Sequence, residues 1–186
     1  MHVVKKICNV SNAVIEEVRD LIRDHDLGNQ PCPVNWCHLG TCDQFAITYY
    51  NDPSWDVTHG PLGKNTKYNL NLITSYNKII PQLKGSDTEF LLTKKFANSF
   101  MWRLIRLKQG QAYPPHQDKA FHRIHVPIYT NSDAKMAIWE DHSEGKKLVT
   151  EYHFPVGEAW AFREDLTHSA YNCGPGDRWH LIGISR

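Results

Sequence analysis

The sequence predicts a mainly β fold, a double-stranded β-helix of the jelly-roll type with N-terminal helices that buttress the barrel. Strand-like segments separated by turns follow one another at short intervals from residue 101 onward. Eight such segments can be distinguished, which is the number that a jelly roll needs. Turn-forming residues separate them, as in Asn131-Ser132-Asp133 and Gly174-Pro175-Gly176-Asp177.

The two-residue period of a strand decides which side chains share a face of the sheet. In the last predicted strand it places Arg178, His180 and Ile182 on one face, so Arg178 is expected to reach into the barrel. The eight predicted strands are Met101–Lys108, Tyr113–Asp118, Arg123–Thr130, Lys135–Glu140, Lys147–Phe154, Glu158–Phe162, His168–Asn172 and Arg178–Ser185.

The region before residue 101 begins with a predicted amphipathic helix. Ser11 can cap its first turn. The apolar residues at helical spacing are Val14, Ile15, Val18, Leu21 and Ile22, and the residues assigned to the solvent face are Glu16, Glu17, Arg19 and Asp20. This helix is expected to pack against the barrel.

The remaining elements before the barrel are predicted from turn residues and alternation. Two strands are expected at Gln44–Tyr50 and Tyr68–Thr74, and a short helix near Ile79–Leu83. The segments Asn51–Lys67 and Asp141–Lys147 are expected to be loops that cover the barrel mouth.

Length and composition indicate one domain over residues 1–186. Residues 1–100 would supply support and substrate-side loops, and residues 101–186 the barrel core. The chain is 41% hydrophobic and 22% charged with a net charge of +1, which gives no basis for broad attraction to nucleic acid or acidic membranes. No long apolar stretch begins the sequence, so a cytoplasmic location is expected. The oligomeric state stays open.

The sequence has five cysteines, an odd count that is most simply read as reduced thiols. Cys32, Cys37 and Cys42 are evenly spaced, with His38 beside one of them. Zinc sites usually show tighter spacing. Loop thiols packed as small hydrophobic groups are favoured over a structural metal, which stays open as an alternative.

His116, Asp118 and His168 form the most informative set of polar residues. Residues i and i+2 of a strand point to the same face, so His116 and Asp118 can aim at one point, and His168 can return on another strand. Two histidines and one carboxylate are the facial ligand set of non-haem Fe(II) oxygenases. The sequence therefore predicts an Fe(II) site with three positions left open.

Arg178 follows His168 at the start of the next predicted strand. A guanidinium can hold a carboxylate with two parallel hydrogen bonds. A dication with a single carboxylate ligand keeps net positive charge, which favours a chelating keto acid in two open positions and leaves the third for O2. Arg178 is expected to grip the distal carboxylate of that keto acid.

A His-x-acid pair alone is weak evidence in a chain with 11 histidines and 20 acidic residues. His142-Ser143-Glu144 is a second such pair, but it lies among charged residues and Gly145 and indicates a solvated turn. His116 instead follows Tyr113-Pro114-Pro115 and precedes a strong strand. The combination with His168 and Arg178 makes the first pair the informative one.

The region from about residue 101 to 185 resembles the aspartyl/asparaginyl β-hydroxylase family of Fe(II)- and 2-oxoglutarate-dependent dioxygenases. The resemblance runs in order through five motifs. They are Arg103-Leu104-Ile105-Arg106-Leu107 with Gly110 and Pro115-His116-Gln117-Asp118, Arg123-Ile124-His125-Val126-Pro127-Ile128-Tyr129-Thr130-Asn131, Gly157-Glu158-Ala159-Trp160-Ala161-Phe162, His168-Ser169-Ala170-Tyr171-Asn172, and Arg178-Trp179-His180-Leu181-Ile182.

The resemblance implies roles for individual residues. His116, Asp118 and His168 would bind iron, and Arg178 would bind 2-oxoglutarate. Arg123 and His125 would line the co-substrate pocket, because they occupy the family's Arg-x-His. The chain departs from the family pattern at Arg163-Glu164-Asp165, which affects the expected substrate preference rather than the metal site.

The expected activity is hydroxylation of an unactivated carbon, with O2 and 2-oxoglutarate consumed. A free amino acid or small derivative is favoured as substrate, with Arg163 and Glu164 as candidates to hold its charged groups. The alternatives are a side chain within a peptide or protein, and a metal-binding cupin-like sensor without turnover.

Several residues keep two interpretations. Trp160 and Phe162 are expected in the core, where they could also shield the iron. Asn172 could orient a group near the metal or simply end a strand, and His180 is expected to be a satisfied interior histidine. Of Arg103 and Arg106, which point to opposite faces, at most one can face the pocket.

Overall fold

A computed structural model describes residues 3–30, 43–50, 74–118, 122–163 and 165–185. Several expectations fall outside these ranges. They are the loop Asn51–Lys67, the strand Tyr68–Thr74 apart from its last residue, Glu164, and the cysteines Cys32, Cys37 and Cys42. The two cysteines within the described part, Cys8 and Cys173, are free thiols.

The described elements are mostly strands. They are β1 (Val4–Asn9), β2 (Asp43–Ala46), β3 (Thr48–Tyr49), β4 (Lys78–Ile79), β5 (Ser99–Leu107), β6 (Ala112–His116), β7 (His122–Tyr129), β8 (Ala134–His142), β9 (Gly145–Tyr152), β10 (Glu158–Arg163), β11 (His168–Asn172) and β12 (Arg178–Ser185). Among the described residues before β5 there are two α-helices, α1 (Asn12–Asp24) and α2 (Asp87–Phe90). A 3-10 turn lies at Pro81–Leu83 and a π-helical turn at Leu91–Lys95.

The strands from β5 to β12 form the predicted double-stranded β-helix. A six-stranded sheet has the order β1-β10-β7-β12-β5-β2, and a four-stranded sheet has the order β6-β11-β8-β9. Neighbouring strands in both sheets are antiparallel. The chain therefore passes repeatedly from one sheet to the other between β5 and β12, which is the topology of a jelly roll.

Helix α1 supports the six-stranded sheet from outside, as predicted. The Ser11 side chain accepts a hydrogen bond from the backbone N–H of Val14 and caps the first turn. The five predicted apolar residues are buried, in one cluster with residues of β5, β7 and β12 that include Leu104, Val126 and Leu181. None of the helices in the described ranges is long and apolar enough to cross a bilayer.

Glu17 does not lie on a purely solvated face, contrary to the prediction. Its carboxylate accepts hydrogen bonds from the backbone N–H groups of Asp87 and Thr88, at 3.1 and 2.8 Å, and from the Thr88 hydroxyl at 2.6 Å. Glu17 thus caps the first turn of α2 and ties it to α1, and these bonds help to lower the pKa of the carboxyl although burial alone would raise it.

Two predictions before the barrel were confirmed in part, and one strand there was not predicted. The expected strand at 44–50 is two strands, β2 and β3, that are separated at Ile47, although the Ile47 N–H still bonds to the Trp102 carbonyl in continuation of the β2–β5 register. The expected helix at 79–83 is the end of β4 followed by the 3-10 turn, since Pro81 starts a new turn there. Strand β1 was not predicted, and it pairs along β10.

The segment Asp141–Lys147 is a β-hairpin rather than the expected loop. Strand β8 continues to His142 and β9 begins at Gly145, with Asp141 opposite Lys146 in register. His142 and Glu144 are exposed at the tip, which confirms the predicted solvated turn. Extended β pairing therefore persists although these residues are charged.

Gly183 marks a close approach between β12 and β5. A Cβ atom at this position would lie 2.4 to 2.7 Å from ring atoms of Trp102. The Trp102 ring is buried, its Nε1 donates to the Ser99 hydroxyl at 3.1 Å, and it packs against Phe96 with centroids 5.6 Å apart. The ring therefore has little room to move away.

We predict that Gly183→Ala lowers the free energy of unfolding by about 1–3 kcal/mol, the usual range for overpacking a core. Chemical denaturation followed by tryptophan fluorescence would measure it. Gly28→Ala is the matched control, because a Cβ there meets Arg106 Nη1 at an ordinary 3.6 Å. Equal stability of the two variants would contradict the close packing of Trp102 on Gly183.

Candidate metal centre

The structure brings His116, Asp118 and His168 together. One potential ligand atom from each lies within 4.8 Å of the other two. The pairing of β6 with β11 is responsible, since His116 and His168 are directly opposite in register and their rings are 4.3 Å apart. Asp118 lies two residues past the end of β6, which stops at His116 rather than continuing to Asp118 as predicted.

Both histidines are held in the tautomer that a metal requires. His116 Nδ1–H donates to the Pro114 carbonyl at 2.8 Å, and His168 Nδ1–H donates to the Leu166 carbonyl at 2.9 Å. A carbonyl only accepts, so the protons belong on Nδ1 and the Nε2 lone pairs are available. Such outer hydrogen bonds orient metal-binding imidazoles in proteins.

The electrostatics keep the ligand set in its metal-binding forms. Burial lowers the pKa of His168 to about 4, so its imidazole is neutral near pH 7. Burial alone would raise the pKa of Asp118, but the Arg123 guanidinium and the two histidines outweigh it and hold that pKa well below its ordinary value. A neutral imidazole and a carboxylate are therefore present without any need to release protons.

Asp118 is oriented by contacts on both sides of the ligand set. Its Oδ2 lies 3.6 Å from His116 Nε2 and 4.0 Å from His168 Nε2, and it also accepts a charge-assisted hydrogen bond from Arg123 Nη2. The preceding residue, Gln117, donates to the Thr167 hydroxyl at 3.0 Å. That bond ties the end of β6 to the residue before His168.

Aromatic rings enclose the two histidines. Tyr113 meets the His116 ring edge-on at 4.5 Å, and Phe162 meets the His168 ring in the same manner at 5.2 Å. Phe162 is fully buried and also contacts His125 at 6.1 Å. Phe162 thus links the ligand set to a second group of polar residues deeper in the barrel.

This second group lies on the inner face of the six-stranded sheet. Arg178, His180 and Ile182 share that face, as predicted, and Ile182 is opposite His125 on β7. Arg178 is 1% exposed, and its Nη2 lies 3.0 Å from His180 Nδ1 and 3.5 Å from the Met136 sulfur on the facing sheet. The guanidinium is thus between the two sheets.

His125 and His180 are buried beside Arg178, each 2% exposed. Their Nδ1 atoms are 3.5 Å apart and their rings are nearly perpendicular. Burial, reinforced by the charge of Arg178, lowers the pKa of both well below the ordinary histidine value. Both imidazoles are therefore neutral, and the Nε2 atom of each has no hydrogen-bond partner among the described residues.

The arginine of the predicted Arg-x-His, Arg123, and the two arginines of β5, Arg103 and Arg106, have distinct positions. Arg123 contacts Asp118 and therefore lies beside the three candidate ligands, whereas His125 lies in the second group with His180 and Arg178. Arg106 bonds to Asp43 and stacks on Trp179 at 5.2 Å on the outer face. Arg103 is buried and lies opposite Ile182 on the inner face. The period of the strand showed that Arg103 and Arg106 point to opposite faces, but it could not show which of them points inward.

Other singled-out residues have structural partners. Trp160 stacks on Phe154 at 5.5 Å and donates to Glu158. Asn172 is fully buried, accepts from Asn131 Nδ2 at 2.9 Å, and donates to the Leu107 and Gly176 carbonyls, so it joins turns rather than orienting a metal ligand.

Comparison with known proteins places the fold but not a family. No protein-family model matches the chain, and no curated protein does. Among solved structures, the chain is similar to the non-heme alpha ketoglutarate dependent epimerase SnoN from nogalamycin biosynthesis, with TM-score 0.58 and 14% identity over 99% of this chain and 77% of that one.

Two further structures show weaker similarity. A prolyl-4-hydroxylase from Pseudomonas putida has TM-score 0.49 and 12% identity over 100% of this chain and 93% of that one. Vicilin from Corylus avellana has TM-score 0.36 and 10% identity over 46% of this chain, and the match spans only 23% of vicilin. The chain thus has a cupin-like double-stranded β-helix fold, which it shares with SnoN, and this fold carries a His-Asp-His group suited to a metal.

Proposed function

We propose that this protein is an Fe(II)- and 2-oxoglutarate-dependent dioxygenase that hydroxylates an unactivated carbon of an amino acid or amino-acid side chain. One observation carries the proposal: three metal-binding side chains and a buried guanidinium occupy the same barrel interior, linked through Phe162 and His125. A buried guanidinium beside two neutral histidines is suited to bind an anionic co-substrate.

The donor set fits Fe(II). Two imidazole nitrogens and one carboxylate on one side of a point are the ligands of non-haem iron oxygenases. The same ligand types also occur in catalytic zinc sites, so the proposal of Fe(II) rests on their combination with the buried guanidinium. When bound, the iron would supply the redox chemistry that activates O2 and oxidises the carbon. The protein would supply the three ligands, their orientation and a dry interior.

Arg178 is the residue that we assign to 2-oxoglutarate. Its charge lies between the sheets, and a guanidinium matches a carboxylate with two parallel hydrogen bonds. The keto acid has a carboxylate at each end, so one end would be held by Arg178 while the keto end faces His116 and His168. Tyr113 and Phe162 would limit the access of water to that end.

Arg123 has a different proposed role from the one that the family resemblance implies. Its guanidinium is bonded to the Asp118 carboxylate, so it would orient that ligand and reduce its negative charge. His125 keeps the implied place in the co-substrate pocket, because it contacts both His180 and Phe162.

A small amino-acid-type substrate remains favoured, by resemblance to the aspartyl/asparaginyl β-hydroxylase family. Arg163, a candidate for substrate binding, forms a salt bridge with Asp165. Its Nε–H donates to the Asp165 carboxylate at 2.9 Å. Release from Asp165 would be required before Arg163 could bind a substrate carboxylate. A peptide substrate and a non-catalytic metal sensor are the alternatives. SnoN is named as an epimerase, so this fold is not restricted to hydroxylation.

The function is tested by adding Fe(II), reductant and 2-oxoglutarate under air and screening a panel of amino acids and short peptides. We expect one class to stimulate succinate formation and to gain one oxygen in mass. Asp118→Ala and His168→Ala should each reduce succinate formation by more than about 100-fold, because even the hydrogen-bond partners of metal ligands are worth about 10–100-fold.

His142→Ala is the control, because His142 is exposed at the hairpin tip and should not affect turnover. Wild-type turnover in either ligand variant would contradict the ligand assignment. If 2-oxoglutarate neither binds nor is decarboxylated, the sensor alternative is favoured.

A second prediction concerns Arg178. Arg178→Lys keeps the positive charge but loses the paired hydrogen bonds, so the affinity for 2-oxoglutarate should fall by about tenfold or more, which corresponds to at least ~1.4 kcal/mol. The apparent KM for 2-oxoglutarate in the decarboxylation assay would measure this loss. Affinity equal to that of the wild type would remove Arg178 from the co-substrate site.

A further inference from the structure

Strand β9 forms an exposed edge of the four-stranded sheet. It spans Gly145–Tyr152 and pairs with β8 on one side, and none of the described strands pairs with its other side. Leu148 and Val149, in the middle of the strand, are 41% and 49% exposed. An edge strand offers a row of backbone N–H and C=O groups to a further strand, and exposed apolar side chains favour such pairing.

The two charged side chains on the outer face of β9, which points away from the barrel interior, have opposite signs. Glu151 accepts a hydrogen bond from Lys135 of β8 at 3.3 Å, and Lys146 pairs with Asp141 of the same strand. The pairing of β9 with β8 shifts by one residue at Val149. This shift places residues 146 and 151 on one face although an odd number of positions separates them.

Two copies of β9 are complementary when they lie antiparallel about a two-fold axis between Leu148 and Val149. In that register Leu148 is opposite Val149 of the second copy, and Lys146 is opposite Glu151 of the second copy. Opposite residues then face the same side of the sheet, as antiparallel pairing requires. The pair of opposite charges occurs twice by symmetry, once on each side of an apolar centre.

The other sheet edges are less suited to pairing with themselves. Strand β6 contains Pro114 and Pro115, which have no N–H group to donate. Strand β1 has Lys5 and Lys6 and no acidic residue, so two copies of β1 would bring unbalanced positive charge together. Strand β2 has only four residues, Asp43–Ala46. Among these edges, β9 combines length, exposed apolar side chains and charges that complement a second copy.

We propose that this protein forms a homodimer through antiparallel pairing of β9 with β9 of a second copy. The two four-stranded sheets would join into one continuous sheet. Strands β6 and β11, which carry His116 and His168, lie on the side of the sheet away from β9, so the dimer would leave both candidate metal centres uncovered. One pair of strands is a small contact, and we therefore expect a weak dimer that depends on concentration.

Sedimentation velocity of the purified full chain, from about 1 to 300 µM, tests the dimer over a range that covers weak association. We expect the sedimentation coefficient to rise from that of a monomer to that of a dimer. Val149→Lys brings a charge from each copy close to the axis and should weaken association more than about tenfold. Val149 is half-exposed, so the fold should tolerate this change, and thermal melting checks that it does.

Charge reversal tests the register. Lys146→Glu sets like charges opposite each other at two symmetric positions, so it should weaken the dimer at least about tenfold. Addition of Glu151→Lys restores opposite charges across the interface, and the double variant should associate within about threefold of the wild type. The contacts that these changes break within one chain are the same in monomer and dimer. Lys94→Glu, at an exposed residue of the π-helical turn, is the control with the same change of charge.

Three outcomes would overturn the proposal. One is a wild type that stays monomeric over the whole range. Another is a dimer of unchanged affinity in folded Val149→Lys and Lys146→Glu, because that dimer would use a different surface. The third is a double variant that associates no better than Lys146→Glu, which would exclude this register. If one of the two single variants does not fold, the other decides. The measurement needs neither metal nor 2-oxoglutarate, so its result is independent of the proposed function.

Discussion

The antiparallel pairing of β6 with β11 is the constraint on which the site depends. It sets His116 directly opposite His168, and the register shift between the two strands falls immediately beside that pair. A slip of one residue would turn one of the two imidazoles to the other face of its strand. The hydrogen bond from Gln117 to the Thr167 hydroxyl strengthens this register from outside the ladder. The Trp139 N–H, which donates to the Thr167 carbonyl, holds β11 to β8 on its other side.

The barrel interior has an unusual distribution of charge for a space between two sheets. Arg103, Arg123 and Arg178 all lie on the inner face of the six-stranded sheet. Arg123 helps to hold the pKa of Asp118 well below its ordinary value, and burial together with the charge of Arg178 lowers the pKa of His125 and His180. Helix α1 and the apolar cluster on the outer face carry the packing that stabilises the fold. The inner face has a smaller apolar cluster, which includes Ile105, Met136 and Phe162, and its polar groups lie beside that cluster.

Much of the architecture could be predicted because its signals are local. The eight barrel strands are separated by turn residues, and α1 has both a capping residue and a continuous apolar stripe. Turn residues and periodicity were therefore sufficient to place these elements. Strand β1 was missed because most of it is exposed and it depends on its partner β10. Strands β8 and β9 were predicted, but their extension to the hairpin tip was missed because the charged tip resembles a loop, although backbone pairing continues there.

The candidate site shows the same division. The identities of His116, Asp118, His168 and Arg178 follow from residue type and order, which the sequence contains. The contact of Arg123 with Asp118 and the bond between Arg178 and His180 depend on how strands far apart in the chain are registered and on side-chain rotamers. Strand period had put Arg178 and His180 on one face, but it could not show that one holds the other.

The edge strand β1 connects the first described residues to the candidate metal centre, although their composition does not indicate this. Val4 is opposite Phe162, and the Arg163 N–H bonds to the Val3 carbonyl, so this segment covers the outer edge of the strand that carries Phe162. Phe162 in turn contacts His168. Removing residues 4–9 would uncover that edge and loosen a wall of the candidate metal centre, so changes are better tolerated at the distal β8–β9 tip than at this first strand.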